Sequence, residues 1–185
     1  MKPTDIGQPD YFHKVVDCQW ACPAHTPVPE YIRLIAAGRH ADAYLVNWYS
    51  NVFPGVLGRT CDRPCEPACR RGRVEENNGD KPEPVAICRL KRVCADNKGD
   101  VADRMPKAKP ANGKRVACVG AGPASLAVAR DLAVEGYAVT VFDGEARAGG
   151  FIRTQIPRFR LPESVIDEEV GYILDLGVDF RSHQR

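Results

Sequence analysis

The chain has 185 residues, of which 44% are hydrophobic, and its formal net charge is +2. This hydrophobic content is enough to bury a core, which argues against wholesale disorder. Basic and acidic residues are interleaved, so the charge does not call for a nucleic-acid or membrane partner, and no apolar run is long enough to span a bilayer.

The cysteine content is high for a chain with no recognisable secretion signal. The first residues lack the apolar region of a signal peptide, so we expect a cytoplasmic protein with reduced thiols. In that compartment, many cysteines indicate metal or redox chemistry more than a disulfide framework. The eight cysteines are Cys18, Cys22, Cys61, Cys65, Cys69, Cys88, Cys94 and Cys118.

The first part of the chain is predicted to be helical. Apolar spacing indicates helices over residues 29–38, 41–48 and 85–95. Residues 51–58, which lead into the second group of cysteines, are interpreted as irregular. We therefore expect an α-helical domain over residues 1–105.

Five cysteines fall into two groups with regular spacing, Cys18-x3-Cys22 and Cys61-x3-Cys65-x3-Cys69. Thiolates are soft ligands that suit zinc and iron–sulfur clusters. A proline directly after Cys22 is typical of ferredoxin-like runs, whereas structural zinc more often uses C-x2-C pairs. The spacing therefore predicts at least one iron–sulfur cluster, with Cys88 as a further candidate ligand.

The remaining cysteines and the nearby basic residues are interpreted differently. Cys94 shares the apolar face of its predicted helix and Cys118 lies inside a predicted strand, so we expect both to be core residues. Basic residues follow Cys69 and Cys88, and they would either stabilise an anionic cluster or form a solvated face. They are Arg70, Arg71, Arg73, Arg89, Lys91 and Arg92.

The second part of the chain, residues 114–185, alternates between strand and helix after a predicted linker over residues 106–113. Strands are predicted at 115–119 and 138–142, and a third begins near 178–180. Helices are predicted at 123–135 and 163–176. This alternation indicates a parallel sheet with helical crossovers, that is, a partial α/β Rossmann-like domain.

A glycine-rich turn joins the first strand of this domain to its first helix. Gly120 would allow a tight turn, and Gly122 would let a pyrophosphate approach the backbone. Pro123, Ala124 and Ser125 open the helix, whose N-terminus favours phosphate. Asp143 directly follows the second strand, where an acidic side chain suits the hydroxyl groups of an adenosine ribose.

Taken together, these motifs resemble the small subunit of bacterial glutamate synthase and its relatives, including the N-terminal region of dihydropyrimidine dehydrogenase and the large subunit of the electron-bifurcating transhydrogenase. The resemblance covers nearly the whole chain in family order. Its motifs are Cys22-Pro23, residues 28–32, residues 53–61, residues 64–69, residues 84–87, residues 120–124, Gly149-Gly150 and residues 156–162.

The resemblance implies a helical domain with two 4Fe–4S clusters, followed by an FAD domain into which an NAD(P)H domain is inserted. It also implies that Gly150 contacts the flavin nucleotide. In that family, hydride passes from NADPH to FAD, and electrons leave through the clusters to a partner catalytic subunit. We therefore expect an electron-transfer module of an NAD(P)H-dependent FAD/iron–sulfur oxidoreductase, whose partners are an electron-accepting subunit and a chain that completes the FAD and NAD(P)H domains.

The sequence departs from the family pattern at three places. The family's extra cysteine pair upstream of Cys18 is missing, and only Asp10 and His13 are candidate ligands there. One cluster is therefore expected, and a second would need Cys88 or a ligand other than cysteine. Gln155 replaces a family glycine, and the sequence ends before the nicotinamide domain, so we expect FAD binding by this chain alone to be weak or absent.

Two other interpretations fit the same residues. The chain could be a docking or assembly subunit that keeps a vestigial nucleotide fold, or the cysteines could hold structural zinc. No residue is expected to act as nucleophile or general acid, because cofactors would carry the chemistry. The histidines are isolated in the sequence and are interpreted as surface or structural residues.

Overall fold

The computed structural model describes residues 16–73, 79 and 81–184. The chain divides into two compact units, Met1–Gly99 and Asp100–Arg185, and each is considered by itself. None of the described helices is long and apolar enough to cross a membrane.

The first unit is helical. Among the described residues, its α-helices are α1 (Asp17–Ala21), α2 (Val28–Ala36), α3 (His40–Asn51), α4 (Pro54–Thr60) and α5 (Ile87–Asp96), with a short 3-10 helix at Arg70–Arg73. Helices α2, α3 and α5 confirm the three predicted helices, with ends shifted by a few residues. Tyr31 and Trp48 are fully buried in the core, and the Tyr31 hydroxyl donates a hydrogen bond to the Ile87 carbonyl at 3.1 Å.

The prediction of an irregular stretch over residues 51–58 is wrong, because most of it forms helix α4. Pro54 occupies the first turn of this helix, where its fixed φ is favourable and its missing N–H costs nothing. Gly55 and Gly58 lower the helix propensity of the segment, so helix α4 cannot be predicted from local sequence preferences. Tertiary packing overrides that propensity, since Pro54, Gly55 and Val56 are buried.

The second unit contains a three-stranded parallel sheet in the order β1-β2-β3. Its strands are β1 (Arg115–Val119), β2 (Ala138–Phe142) and β3 (Asp179–Arg181), and its α-helices are α6 (Pro123–Val134), α7 (Phe151–Thr154) and α8 (Glu163–Leu174). A 3-10 helix at Ala102–Arg104 precedes them. The predicted Rossmann-like alternation is therefore confirmed, and the carboxyl ends of β1 and β2 lie side by side, since Val119 pairs with Phe142.

The stretch predicted as a linker, residues 106–113, is part of the second unit and is hydrogen-bonded to the rest of it. The Lys109 N–H donates to the Val134 carbonyl at 3.0 Å, and the Asn112 N–H donates to the Gly136 carbonyl at 3.0 Å. Gly136, with a positive φ of 82°, allows this close approach, because a Cβ there would lie 2.4 Å from the Pro110 carbonyl oxygen.

Candidate functional site

Cys61 and Cys88 come together from two helices of the first unit. Cys61 ends α4 and Cys88 lies in the first turn of α5. A hydrogen bond between the two side chains lowers the pKa of Cys61 to about 5, with help from the Arg63 N–H and against the effect of burial. The same hydrogen bond, together with burial, raises the pKa of Cys88. The hydrogen bond therefore favours the thiolate form at Cys61 and the thiol form at Cys88.

Cys65 and Cys22 extend this pair. Burial raises the pKa of Cys65 to about 11, and the charges of Cys61 and Cys22 push it in the same direction. Cys22 follows α1, while Cys65 lies in the loop after α4. Four thiol groups from three separate segments of the chain are therefore linked by electrostatic interactions, each with at least one of the others.

Lys91 is the cation inside this group. It lies one helical turn after Cys88 on the buried face of α5 and is only 5% exposed. Its positive charge lowers the pKa of all three cysteines. It opposes the rise in pKa at Cys65 and Cys88, and it adds to the fall in pKa at Cys61. A buried ammonium at this place stabilises negative charge on the surrounding sulfur atoms.

Cys18 and Cys69, the other two predicted ligands, lie near each other. Burial raises the pKa of Cys18, and the charge of Cys69 adds to that rise. Their chain neighbours form an ion pair, in which the Arg70 Nε lies 2.8 Å from an Asp17 carboxylate oxygen. The structure therefore places these two cysteines as a second pair.

Two further cysteines were predicted to be core residues, and two residues upstream of Cys18 were candidate ligands. Cys94 is confirmed as a core residue, fully buried with its Sγ 3.0 Å from the Lys91 carbonyl oxygen. Cys118, on β1 of the second unit, is also buried as predicted. Asp10 and His13 lie outside the described residues. Within residues 16–73, 79 and 81–184, no three His, Cys, Asp or Glu side chains are gathered in a way that would hold a single metal ion.

The glycine-rich turn of the second unit has the backbone that the sequence predicts. Gly120 has a φ of 88°, and a Cβ there would meet nothing within 4 Å, so the turn faces open space. Gly122 is the N-cap of α6 and is equally open. A Cβ on Gly150 would lie 2.9 Å from the Gly122 Cα, so the Gly149-Gly150 turn packs directly against the glycine-rich turn. Pro123, Ala124 and Ser125 form the first turn of α6.

Asp143 is part of the same turn through its side chain. One carboxylate oxygen accepts a hydrogen bond from the Ala121 N–H at 2.5 Å, and the other accepts from the Glu145 N–H at 2.8 Å. The carboxylate therefore fixes the loop that would face a phosphate. Contact between Asp143 and a ribose stays a prediction.

A cavity of ≈ 490 Å³ opens at the carboxyl ends of the strands. It is lined by Val119, Gly120, Phe142, Asp143, Gly144 and Gln184. In parallel α/β sheets, ligands bind at this edge. Sequence reasoning missed Gln184, because it follows the last strand and carries no motif; it also missed Thr26, a buried hydroxyl beside Cys22 that no local pattern marks.

The two units match two known domain families. Residues 12–102 match the family described as dihydropyrimidine dehydrogenase domain II, 4Fe-4S cluster. Residues 118–179 match the NAD(P)-binding Rossmann-like domain. The chain belongs to the family of iron–sulfur oxidoreductase subunits that includes the glutamate synthase small chain. The resemblance inferred from the cysteine groups and the glycine-rich turn is thereby confirmed.

Members of this family align with most of the chain. It is 37% identical to the NADP(+)-dependent formate dehydrogenase subunit beta of Moorella thermoacetica, over 91% of the chain and 26% of that protein. It is 36% identical to the NADPH-Fe(3+) oxidoreductase subunit beta of Geobacter sulfurreducens, over 95% of the chain and 26% of that protein. It is 36% identical to the glutamate synthase (NADPH) small chain of Mycobacterium tuberculosis, over 89% of the chain and 32% of that protein. The chain thus spans about a quarter to a third of the length of these relatives.

Proposed function

We propose that this chain is the electron-transfer module of an NAD(P)H-dependent FAD/iron–sulfur oxidoreductase. Its first unit would pass electrons between a flavin and a partner subunit through a 4Fe–4S cluster. The ligands would be Cys22, Cys61, Cys65 and Cys88. The observation that carries the proposal is the clustering of Cys61, Cys65 and Cys88 around the buried Lys91, with Cys22 beside Cys65, in a domain of the 4Fe–4S family.

The donor set fits such a group. Four cysteine thiolates are the usual ligands of a cubane cluster. Hydrogen bonds from Cys88 and from the Arg63 N–H lower the pKa of Cys61 to about 5, which favours the thiolate form that a metal ligand requires. The Arg63 N–H donates to the Cys61 Sγ at 3.3 Å, which is the kind of contact that orients a ligand sulfur.

In this function a bound cluster supplies one-electron transfer, and the residues of this chain hold and tune it. Cys88 and Lys91 lie on the same buried face of helix α5. This helix therefore positions both the fourth ligand sulfur and the positive charge that offsets the negative charge of the thiolates. Cys65, Cys88 and Lys91 are buried, so solvent screens the effect of the Lys91 charge on these two sulfur atoms less than it would at the surface.

Cys18 and Cys69 are proposed as ligands of a second metal site only if further donors join them. The pair alone offers two sulfur atoms, fewer than the four that a cubane needs.

The second unit is proposed to hold the ADP part of FAD. Gly120, Gly122 and Gly150 would let the pyrophosphate approach the backbone, and the N-terminus of α6 at Pro123, Ala124 and Ser125 would face its charge. Support comes from the open space at both turn glycines and from the cavity beside Asp143.

The ligand assignment is tested by replacing two cysteines on the same helix. We expect Cys88→Ala to lose most bound iron and sulfide, because it removes one of four ligands, whereas Cys94→Ala keeps both. Both side chains are buried in α5, so a comparison of the two variants distinguishes the loss of a metal ligand from the loss of core packing. Iron, acid-labile sulfide and zinc are measured after anaerobic purification.

Three results would contradict the proposal. Wild-type protein free of iron and sulfide would favour the docking interpretation. Stoichiometric zinc in place of iron and sulfide would establish the structural zinc interpretation. Full cluster content in Cys88→Ala would remove Cys88 from the ligand set.

A further inference from the structure

A buried polar cluster lies directly behind Cys22 in the first unit. The Cys22 Sγ is 3.5 Å from the Thr26 Oγ1. Thr26 is only 1% exposed, and Asn47 and Asn51, which belong to the same cluster, are also buried. A hydroxyl in this position needs hydrogen-bond partners, because water does not reach it.

The hydrogen bonds around Thr26 can be assigned from the capacity of each group. The Asn51 Nδ2 donates to the Thr26 Oγ1 at 3.3 Å and to the Asn47 Oδ1 at 3.1 Å. The Ser50 hydroxyl lies 3.1 Å from the Thr26 Oγ1, closer than its 3.3 Å contact with the Asn47 carbonyl. A hydroxyl has two acceptor positions and one hydrogen. In the thiol form Cys22 is itself the donor in this contact, but when Ser50 and Asn51 fill both acceptor positions the Thr26 hydrogen is free to be donated to a Cys22 sulfur that has lost its proton.

We propose that the Thr26 hydroxyl donates a hydrogen bond to the Cys22 sulfur when that sulfur is a metal-bound thiolate, and that this bond raises the reduction potential of the cluster. The inference rests on the proposed function, since it takes Cys22 as a cluster ligand. A bound thiolate has no proton, so it can only accept, and Thr26 is the group placed to donate.

The effect on the potential follows from charge. A reduced cluster carries one more negative charge than an oxidised one, and a hydrogen bond to a ligand sulfur stabilises the more negative state more strongly. Because Thr26 is buried, solvent screens its interaction with the sulfur less than it would at the surface.

The donor is held in place by its surroundings. Asn47, which orients Asn51, is itself fixed by a hydrogen bond from its Nδ2 to the Ala43 carbonyl at 2.9 Å. Helix α3 thus carries a chain of side-chain amides that ends at Thr26. The hydroxyl is therefore preorganised, and Thr26 acts as a positioning residue for the ligand sulfur.

The test measures the midpoint potential of the bound cluster by electron paramagnetic resonance during redox titration. Thr26→Val keeps the shape and removes the hydroxyl, and Thr26→Ser keeps the hydroxyl. We expect the potential of the Val variant to move to a more negative value, equivalent to a roughly tenfold change in the ratio of reduced to oxidised cluster. The Ser variant is expected to stay near the wild type, as is Thr140→Val, which removes a hydroxyl on β2 of the other unit.

A second pair of variants covers the case in which Val prevents cluster assembly. Thr26→Ala and Thr26→Ser both lose the methyl group and differ only in the hydroxyl. A lower potential or loss of cluster in Ala but not in Ser supports the inference, and equal potentials in the two overturn it. Wild-type protein without iron and sulfide would instead refute the proposed function, so the two failures are distinguishable.

Discussion

Lys91 shows how a single buried charge can control the candidate site. Its ammonium lies among Cys61, Cys65 and Cys88, and it favours the thiolate form of each of them. The sequence alone did not decide whether the basic residues of this segment stabilise a cluster or form a solvated face. The burial of Lys91 assigns this residue to the site, whereas its neighbour Arg89 is exposed.

We predict that Lys91→Met lowers the midpoint potential of the bound cluster. Loss of a nearby positive charge destabilises the reduced state by on the order of 1 kcal/mol. Potentiometric titration of the cluster signal measures the change, and Arg89→Met serves as the control because it removes a charge from the exposed side of the same helix. Equal potentials in wild type and Lys91→Met would show that Lys91 has no electrostatic role at the cluster.

At the level of elements, the site depends on how closely α4 and α5 approach each other. A Cβ on Gly58 would lie 2.8 Å from both the Arg92 Cα and the Arg92 N, so only glycine permits this contact. The Arg59–Asp96 ion pair, at 2.6 Å, joins the same two helices. Cys61 and Cys88 lie at the ends of these helices that meet, so their contact depends on this packing.

We predict that Gly58→Ala destabilises the first unit by about 1–3 kcal/mol, because the methyl group overlaps backbone atoms that cannot rotate away. Bound iron should fall as α4 and α5 move apart. Thermal unfolding and iron content are the measurements. Gly171→Ala in α8 is the matched control, since a Cβ there meets nothing within 4 Å, and alanine in a helix should stabilise by up to about 1 kcal/mol. Unchanged iron and stability in Gly58→Ala would refute the packing argument.

At the scale of the whole molecule, the sheet of the second unit has an open side. Among the described strands, β1 pairs with β2 alone, and Val119 at its end is 89% exposed. The cavity beside Gly120 is lined by the carboxyl ends of β1 and β2 and by residues that follow the strands. An apolar strand end next to a nucleotide-type turn favours the pairing of a further strand before the cavity can enclose a ligand.

We predict that the 185-residue chain alone binds FAD weakly or not at all, because most of the flavin would face water. Flavin absorbance of the purified protein and titration with added FAD are the measurements. Cluster absorbance in the same sample serves as the control that the first unit is folded. Tightly bound FAD in a one-to-one ratio would show that the second unit is sufficient by itself.

Local patterns in the sequence determined much of this protein. Strands β1 and β2 were predicted residue for residue, because alternation of apolar residues between turn signals is a short-range property. The glycine-rich turn and the spacing of the two cysteine groups were equally readable, since each motif lies within one segment. Helix α4 was missed for the opposite reason, because its glycines oppose helix locally and only burial stabilises it.

Only the tertiary structure decided which groups meet. Cys88 joins Cys61 because α4 and α5 pack through Gly58, and Thr26 reaches Cys22 while held by residues of α3. These partners are far apart along the chain, and their contact depends on helix packing that no local pattern encodes. The sequence by itself thus determined the kinds of ligand and the class of fold, and the three-dimensional packing of the helices decided which sulfur atoms, charge and hydroxyl form one site.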